Sequence, residues 1–526
     1  MTNGRWAVAA GHPLAVDEGA AILEAGGNAA DAAVAVAFAQ GVVDPAKCGI
    51  GGWGVATWWD GRRGEATSID FPGRAGSRAR PDMWLDDLVE PAYHGYLPRL
   101  RDSVNDVGYR SIAVPGAVAG LGELYARGSG RFAWGDLLSP AIRHASDGVP
   151  VYSGVLGAGP PEWDWPGAVP FLDRLAVTEA SAATYLPGGR FFRIGERLAQ
   201  PLLAATLETL AAEGPRAFYR GVVADQIAAD LAAHGADITA EDLAAYHPMV
   251  GPPVAGAFGG LDVYSAPPPE SGVSLVRALS LLDARLEAAV GPLDPGNAGL
   301  IADAIGAVAD DRARYLADPA FVDVPVERLL GSSLVPGDTT SVVVVDGVGN
   351  AVAMNHSLAS HGGSGVVTEG LGFLYNNCMA GFDVEPDRPN SIAPGKARWS
   401  AAAPAVLVGA AGVRLAITGP GGSRAIGAVI QGVVDLTVFG MSALEAVSAP
   451  RIDAHDGLID LEDRVPAFVE RALMARELQV NRTYESGFAA LYAVARHPEA
   501  GLQAAADPRR PGAAIVGDVP GERVSR

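Results

Sequence analysis

The segment Gly337-Asp338-Thr339-Thr340-Ser341 holds residues whose types and order could do covalent chemistry. Val342 to Val345 follow at once, and a β-branched run that opens on a Thr reads as a strand whose first side chain can face a cleft. A cut before Thr339 would leave one residue with a nucleophilic hydroxyl and its own base, the new α-amino group. A second useful segment is Gly419-Pro420-Gly421-Gly422-Ser423-Arg424. Glycines at a strand-to-helix junction leave backbone N–H groups unobstructed, which is how an oxyanion is held. Each segment also has a plainer reading, a structural Thr pair at a strand mouth and a tight turn that needs glycine φ angles.

Positioning these groups calls for strands. Asp346-Gly347-Val348-Gly349-Asn350 supplies turn chemistry and Ala351 to Leu358 resumes an extended run, which predicts a β-hairpin. Val406 to Val408 and Val413 to Thr418 predict a second hairpin around Gly409 to Gly412, followed by a helix from Ala425. Upstream, Ala15 to Ala25 is helical and stops at Gly26-Gly27. Asn28 caps a buried Ala/Val-rich helix, Ala29 to Gln40. Gly49, Gly51 and Gly54 match a dinucleotide fingerprint in spacing, but strand-like Val55 to Trp59 follows where that motif demands a helix. A glycine-rich entry into a central strand, close to another backbone, fits better. Strand-like alternation covers Val254 to Ala266, and helices are predicted over Ser274 to Ala288 and Gly299 to Leu316. Ala317 to Asp338, with Pro319, Pro325 and Pro336, reads as an exposed connector suited to processing.

The 526 residues exceed what one core normally serves. A formal charge of −21 without any basic run argues against a nucleic-acid surface. Cys48 and Cys378 are too few for a disulfide framework and lack metal-site spacing, so both read as small buried hydrophobes. His356 and His361 lie in a strand-then-loop segment, where helical ligand spacing does not apply, and no metal is assigned to them. No run approaches a membrane span, and no apolar leader precedes the first helix, so the expected location is cytoplasmic. The serine-hydrolase pattern G-x-S-x-G is absent.

Taken in order, several segments resemble the γ-glutamyltranspeptidase family of self-cleaving N-terminal-nucleophile hydrolases. They include Ala25-Gly26-Gly27-Asn28-Ala29-Ala30-Asp31-Ala32-Ala33, Cys48-Gly49-Ile50-Gly51-Gly52, Val114-Pro115-Gly116 and Phe218-Tyr219-Arg220-Gly221. They continue through Asp311 to Leu316, Gly337-Asp338-Thr339-Thr340, Gly349-Asn350-Ala351-Val352, Asn376-Asn377, Gly419 to Arg424 and Ala506 to Arg510. The resemblance implies an α+β fold of four layers, αββα. It implies cleavage between Asp338 and Thr339 into a large subunit, 1–338, and a small one, 339–526, that stay associated. Thr339 matches the nucleophile and Thr340 a second threonine beside it. Ser357 stands where the family has a Thr whose hydroxyl supports the nucleophile, and Gly421 and Gly422 match the oxyanion pair. The partner is a small-molecule amide; no cofactor, metal, nucleic acid or membrane is called for.

The γ-glutamyl pocket departs from the family. Its Asp-Phe-Arg-Glu is Asp70-Phe71-Pro72-Gly73 here, so the Arg for the substrate α-carboxylate is missing. The family's Asn two positions beyond the supporting hydroxyl is Ala359. Residues that grip the α-amino group become Cys378 and Gly381, and the paired serines become Ser400 and Ala401. Cys378 reads equally as a pocket residue or as a buried inert thiol. Charged hydrogen bonds are worth roughly 1.5–3 kcal/mol each, so their joint loss argues against tight glutathione binding. A small acid amide or acyl amide fits better. The alternatives are a working γ-glutamyl hydrolase or transferase with a rebuilt pocket, and a non-catalytic binding module. The retained Thr339, Ser357, Gly421 and Gly422 speak against the last.

Overall fold

Alternating side chains in the central strands build the layers. In the strand Asp338–Val345, Val342 and Val344 pack toward helices, while Val343 and Val345 pack toward a second sheet. A strand buried on both faces reads as an unbroken apolar run, which is what Val342 to Val345 is. The computed structural model describes residues 5–91, 97–128, 130–152, 168–326, 338–455, 457–484 and 487–518, without the side chains of 310–313, 338 and 339.

The first sheet has seven antiparallel strands in the order Ala513–Asp518, Arg5–Ala10, Asp338–Val345, Ala351–Ala359, Trp53–Asp60, Glu65–Phe71 and Met249–Gly251. The second has six: Gly501–Ala506, Tyr492–His497, Gly412–Thr418, Ala405–Gly409, Leu261–Ser265 and Val254–Phe258. Apolar side chains such as Val343, Val345, Val406 and Val494 fill the space between them. Helices Pro13–Glu24, Ala29–Val43 and Ala117–Gly128 cover the outer face of the first sheet. Gly272–Leu282, Pro295–Tyr315 and Ala425–Thr437 cover the second. The expected four-layer αββα arrangement is therefore the fold.

Local signals explain most boundaries. Asn28 caps its helix in a reciprocal capping box with Asp31. The glycine-rich entry at 49–54 does approach other backbones: a Cβ on Gly51 would stand 2.3 Å from the Leu374 carbonyl oxygen, and one on Gly54 2.3 Å from that of Asn355. Gly54→Ala is accordingly expected to lower unfolding free energy by about 1–3 kcal/mol, read by urea denaturation, because neither strand can yield without moving its ladder.

Three expectations shift. Val254 to Ala266 is not one strand but a hairpin, because Gly259 and Gly260, both at positive φ, turn the chain. The helix expected to reach Ala288 ends at Leu282, and Ala284 adopts φ +56° just beyond it. The connector is not exposed at its start: Ala317 and Asp318 are buried, with Asp318 accepting from the Ala397 N–H at 2.9 Å. Residues 327–337 of that connector lie outside the described residues.

Candidate active site

The bond expected to be cut lies at the first residues of a central strand. Asp338 pairs with Ala359 and Thr340 with His356, so Ser357 and Leu358 both stand opposite Thr339 in a β-bulge. Ala359 holds φ +82°, a conformation that costs a non-glycine residue roughly 1–2 kcal/mol. Backbone irregularity is thus concentrated opposite the Asp338–Thr339 bond. Ser357 is buried, and its Oγ accepts from the Ala359 N–H at 2.8 Å, which holds the hydroxyl over the bulge. Gly52 closes this end of the sheet, since a Cβ there would meet the Ser357 carbonyl oxygen at 2.4 Å.

Asn355, two residues before Ser357, shares its face of the strand and ties it to the second sheet. Its Nδ2 donates to Ser341 Oγ at 3.0 Å and to the Gly419 carbonyl at 3.2 Å, while its Oδ1 accepts from Thr418 Oγ1. The Gly419 end of the strand Gly412–Thr418 is thereby fixed against the strands that carry Thr339 and Ser357. The chain then passes through Gly421 (φ +146°) and Gly422 (φ +59°) into the helix from Ala425. Among the described residues, neither the Gly421 nor the Gly422 N–H has a hydrogen-bond partner. Arg424 anchors the turn by donating to Asp460 Oδ2 at 2.6 Å.

Thr340 turns its buried hydroxyl to the opposite, helix-facing side of the sheet. Gln40 Nε2 donates to Thr340 Oγ1 at 3.2 Å, and Gln40 Oε1 meets His356 Nε2 at 2.8 Å. Burial holds the His356 pKa down at about 3, so the imidazole is neutral and can donate through Nε2 to the amide oxygen. This clamp fixes the strand one residue after Thr339. Gln40→Leu leaves a buried hydroxyl and imidazole unpaired. It is expected to cost about 1–3 kcal/mol in urea denaturation and to slow appearance of the small fragment on gels.

Cys378 is buried in an apolar cluster with Trp53, Ala113 and Met379, beside Gly73, and burial raises its thiol pKa to about 11. Ser400 is buried too, and its Oγ donates to Glu270 Oε2. Glu270 follows the Pro-Pro-Pro stop, and Asp70 is the acid of the departed Asp-Phe-Pro-Gly segment. Burial raises both carboxyl pKa values, that of Glu270 to about 7 against the opposing pull of Ser400 and Arg398. His356 belongs to the Gln40 clamp, and His361 packs against Phe171 with the rings tilted and their centroids 4.3 Å apart.

Gln40, Asn355, Asp70 and Glu270 were not singled out as site residues from sequence. A signal existed for Asn355, the first of three consecutive polar residues in the strand-like run Ala351 to Leu358. Glu270 carried one as well, a charge between a proline stop and the apolar helix Gly272–Leu282. Gln40 gave none, because its role depends on which strand the helix covers.

The family model described as Gamma-glutamyltranspeptidase matches residues 15–517. The chain is similar to the Acylase ACY 1 proenzyme of Pseudomonas sp. (strain V22), with 34% identity over 98% of this chain and 94% of that protein. It is also similar to the glutathione hydrolase proenzyme of Escherichia coli (strain K12), with 33% identity over 86% and 81% of the two chains. Among solved structures, cephalosporin acylase from Bacillus halodurans superposes with a TM-score of 0.86 and 27% identity, covering 98% of this chain and 96% of that one. The γ-glutamyltranspeptidase of Helicobacter pylori superposes over 61% of this chain and 86% of its own, with a TM-score of 0.52 and 31% identity.

Proposed function

Because the chain belongs to the γ-glutamyltranspeptidase family and is a self-processing amide hydrolase and acyltransferase of it, we propose that Thr339 is its nucleophile. Cleavage after Asp338 frees the α-amine. Thr339 Oγ attacks the amide carbonyl while that amine takes its proton. An α-amine has a pKa of about 8, so a useful fraction is unprotonated near neutrality, unlike a Lys at about 10.4. The Gly421 and Gly422 N–H groups receive the oxyanion. The C–N bond then breaks, the α-ammonium gives its proton to the leaving amine, and water or an acceptor amine removes the acyl group from the Thr ester.

The observation that carries this reading is that Asn355, on the strand of Ser357, ties the bulged strand that begins at Asp338–Thr339 to the Gly419 end of the turn whose Gly421 and Gly422 N–H groups have no partner among the described residues. Fragments 1–338 and 339–526 would remain together, because their strands alternate in the first sheet: Arg5–Ala10 and Trp53–Asp60 flank the hairpin of 339–359. The substrate we propose is an acyl amide lacking the α-amino acid head of glutathione. Pro72, Cys378 and Ala401 stand where glutamyl-gripping groups would be, and acylases are among the relatives. A panel of chromogenic 4-nitroanilides tests it. Simple acyl anilides are expected to be cleaved at least about 10-fold faster, in kcat/KM, than the γ-glutamyl anilide, the loss of one charged contact being worth that much. Preferred turnover of the γ-glutamyl anilide would instead make it a glutathione-type hydrolase.

A further inference from the structure

The turn that carries Gly421 and Gly422 is held at its far end by one guanidinium, and that guanidinium is shared. Arg424 Nη2 donates to Asp460 Oδ2 at 2.6 Å, Nη1 donates to the Gly487 carbonyl, and Nε stands 3.8 Å from Asp453 Oδ2. Asp453 and Asp460 belong to a three-stranded sheet, Ile452–His455, Leu458–Glu462 and Gln479–Thr483, in which the two acids are direct cross-strand partners. Both are buried. Like charges placed opposite one another repel, and burial leaves little water to screen them. Asp453 also touches the helix that follows the turn, since a Cβ on Gly427 would stand 2.8 Å from its Oδ1.

His455 completes the group. It lies two residues after Asp453 and so shares its face of the strand. It is buried, with Nδ1 3.4 Å from Asp453 Oδ2 and Nε2 3.9 Å from Asp460 Oδ2. A neutral imidazole would turn a lone pair toward one of these carboxylates, whereas an imidazolium turns an N–H toward each. Among the described residues, the other elements packed here bring no further charge to this face. The third strand supplies Asn481, whose Nδ2 donates to Asp460 Oδ1 at 2.9 Å, and the helix Pro295–Tyr315 brings Gly306 against Ala454. Two carboxylates thus face Arg424 and His455, and their charges match only when His455 is protonated. Burial pulls the His455 pKa down, but Asp453 and Asp460 outweigh it and the net shift is upward from 6.5.

Building on the proposed amide hydrolysis, we infer that His455 is a positioning residue for the oxyanion turn, the second cation that keeps Asp453 from drawing Arg424 away from Asp460. While the imidazolium holds both acids, Arg424 stays on Asp460 and on the Gly487 carbonyl. Once it loses its proton, two carboxylates compete for one guanidinium. Arg424 then shifts toward Asp453, and the Gly421 and Gly422 N–H groups shift with it. The support is present at low pH and is lost as pH rises through the raised His455 pKa. The α-amine of Thr339 works in the opposite sense, gaining activity as it deprotonates at about 8. Two opposed ionisations make kcat bell-shaped in pH.

The test measures kcat from about pH 5.5 to 9.5 with a saturating simple acyl 4-nitroanilide, on wild type, H455Q, D453N and D453N/H455Q. Wild-type kcat is expected to fall about 10-fold on the alkaline side. H455Q leaves the acids unmatched at every pH, so its kcat should be about 10-fold low and show no alkaline fall. D453N removes the competing acid, so the alkaline fall should vanish, and D453N/H455Q should regain most of what H455Q lost. Recovery on removing a second buried group is not the behaviour of a packing defect. Appearance of the two fragments on a gel shows that a variant has folded. Should H455Q fail to process, processing regained in D453N/H455Q supports the inference equally. A wild-type kcat that holds level or rises to the alkaline end, or a double variant no better than H455Q, overturns the inference while leaving amide hydrolysis intact. No turnover of any anilide by processed wild type overturns both.

Discussion

Thr339→Ala is expected to leave the chain as one 53.8 kDa polypeptide and to abolish amide cleavage, a loss on the order of 10⁴-fold or more. In the proposed mechanism two steps depend on the same hydroxyl. It must attack the Asp338 carbonyl to break the chain, and afterwards attack the substrate carbonyl. Substitution removes both, and without the cut there is no α-amine to serve as base. Thr339→Ser separates this from mere structural damage. A serine keeps the hydroxyl and, once exposed, the amine, so it should still process, more slowly, and retain measurable turnover.

Gly421→Ala is expected to lower kcat by about 10²–10³-fold while leaving the fold assembled. At φ +146° an L-residue is strained, and a Cβ at this position would stand 2.4 Å from both Cα and Cβ of Ala489. The turn must therefore move, and with it the N–H groups of Gly421 and Gly422. A donor misplaced by an ångström no longer meets the oxyanion, and each such donor is worth about 3 kcal/mol of barrier. Because Arg424 and Asn355 hold the two ends of the turn, the displacement should stay local. Stopped assays with a simple acyl anilide read kcat, and urea denaturation of the same preparation shows whether stability changed.

Much of this arrangement was legible in the chain itself. The hairpin of 338–359 announced itself through Val342 to Val345 and the Asp346–Asn350 turn, because strands buried on both faces and tight turns have strong local signatures. Asn28 did the same for its helix as an N-cap, which the structure completes as a capping box with Asp31. What stayed hidden depends on contacts distant in sequence. Gln40 meets Thr340 across 300 residues, and Glu270 meets Ser400 across 130, so no window of sequence contains either pair. The bulge opposite Thr339 was equally silent, since it arises from how two strands register and not from any one residue. The early part of the connector was misjudged because prolines suggested exposure, whereas Asp318 is drawn inward by the Ala397 N–H and Arg74.

Intact-mass spectrometry of the purified protein, with N-terminal sequencing of any small fragment, tests the central claim most directly. The expected result is two polypeptides that co-elute on gel filtration, one of them beginning Thr339-Thr340-Ser341. A single 53.8 kDa chain that persists through long incubation, or a small fragment starting elsewhere, would contradict it.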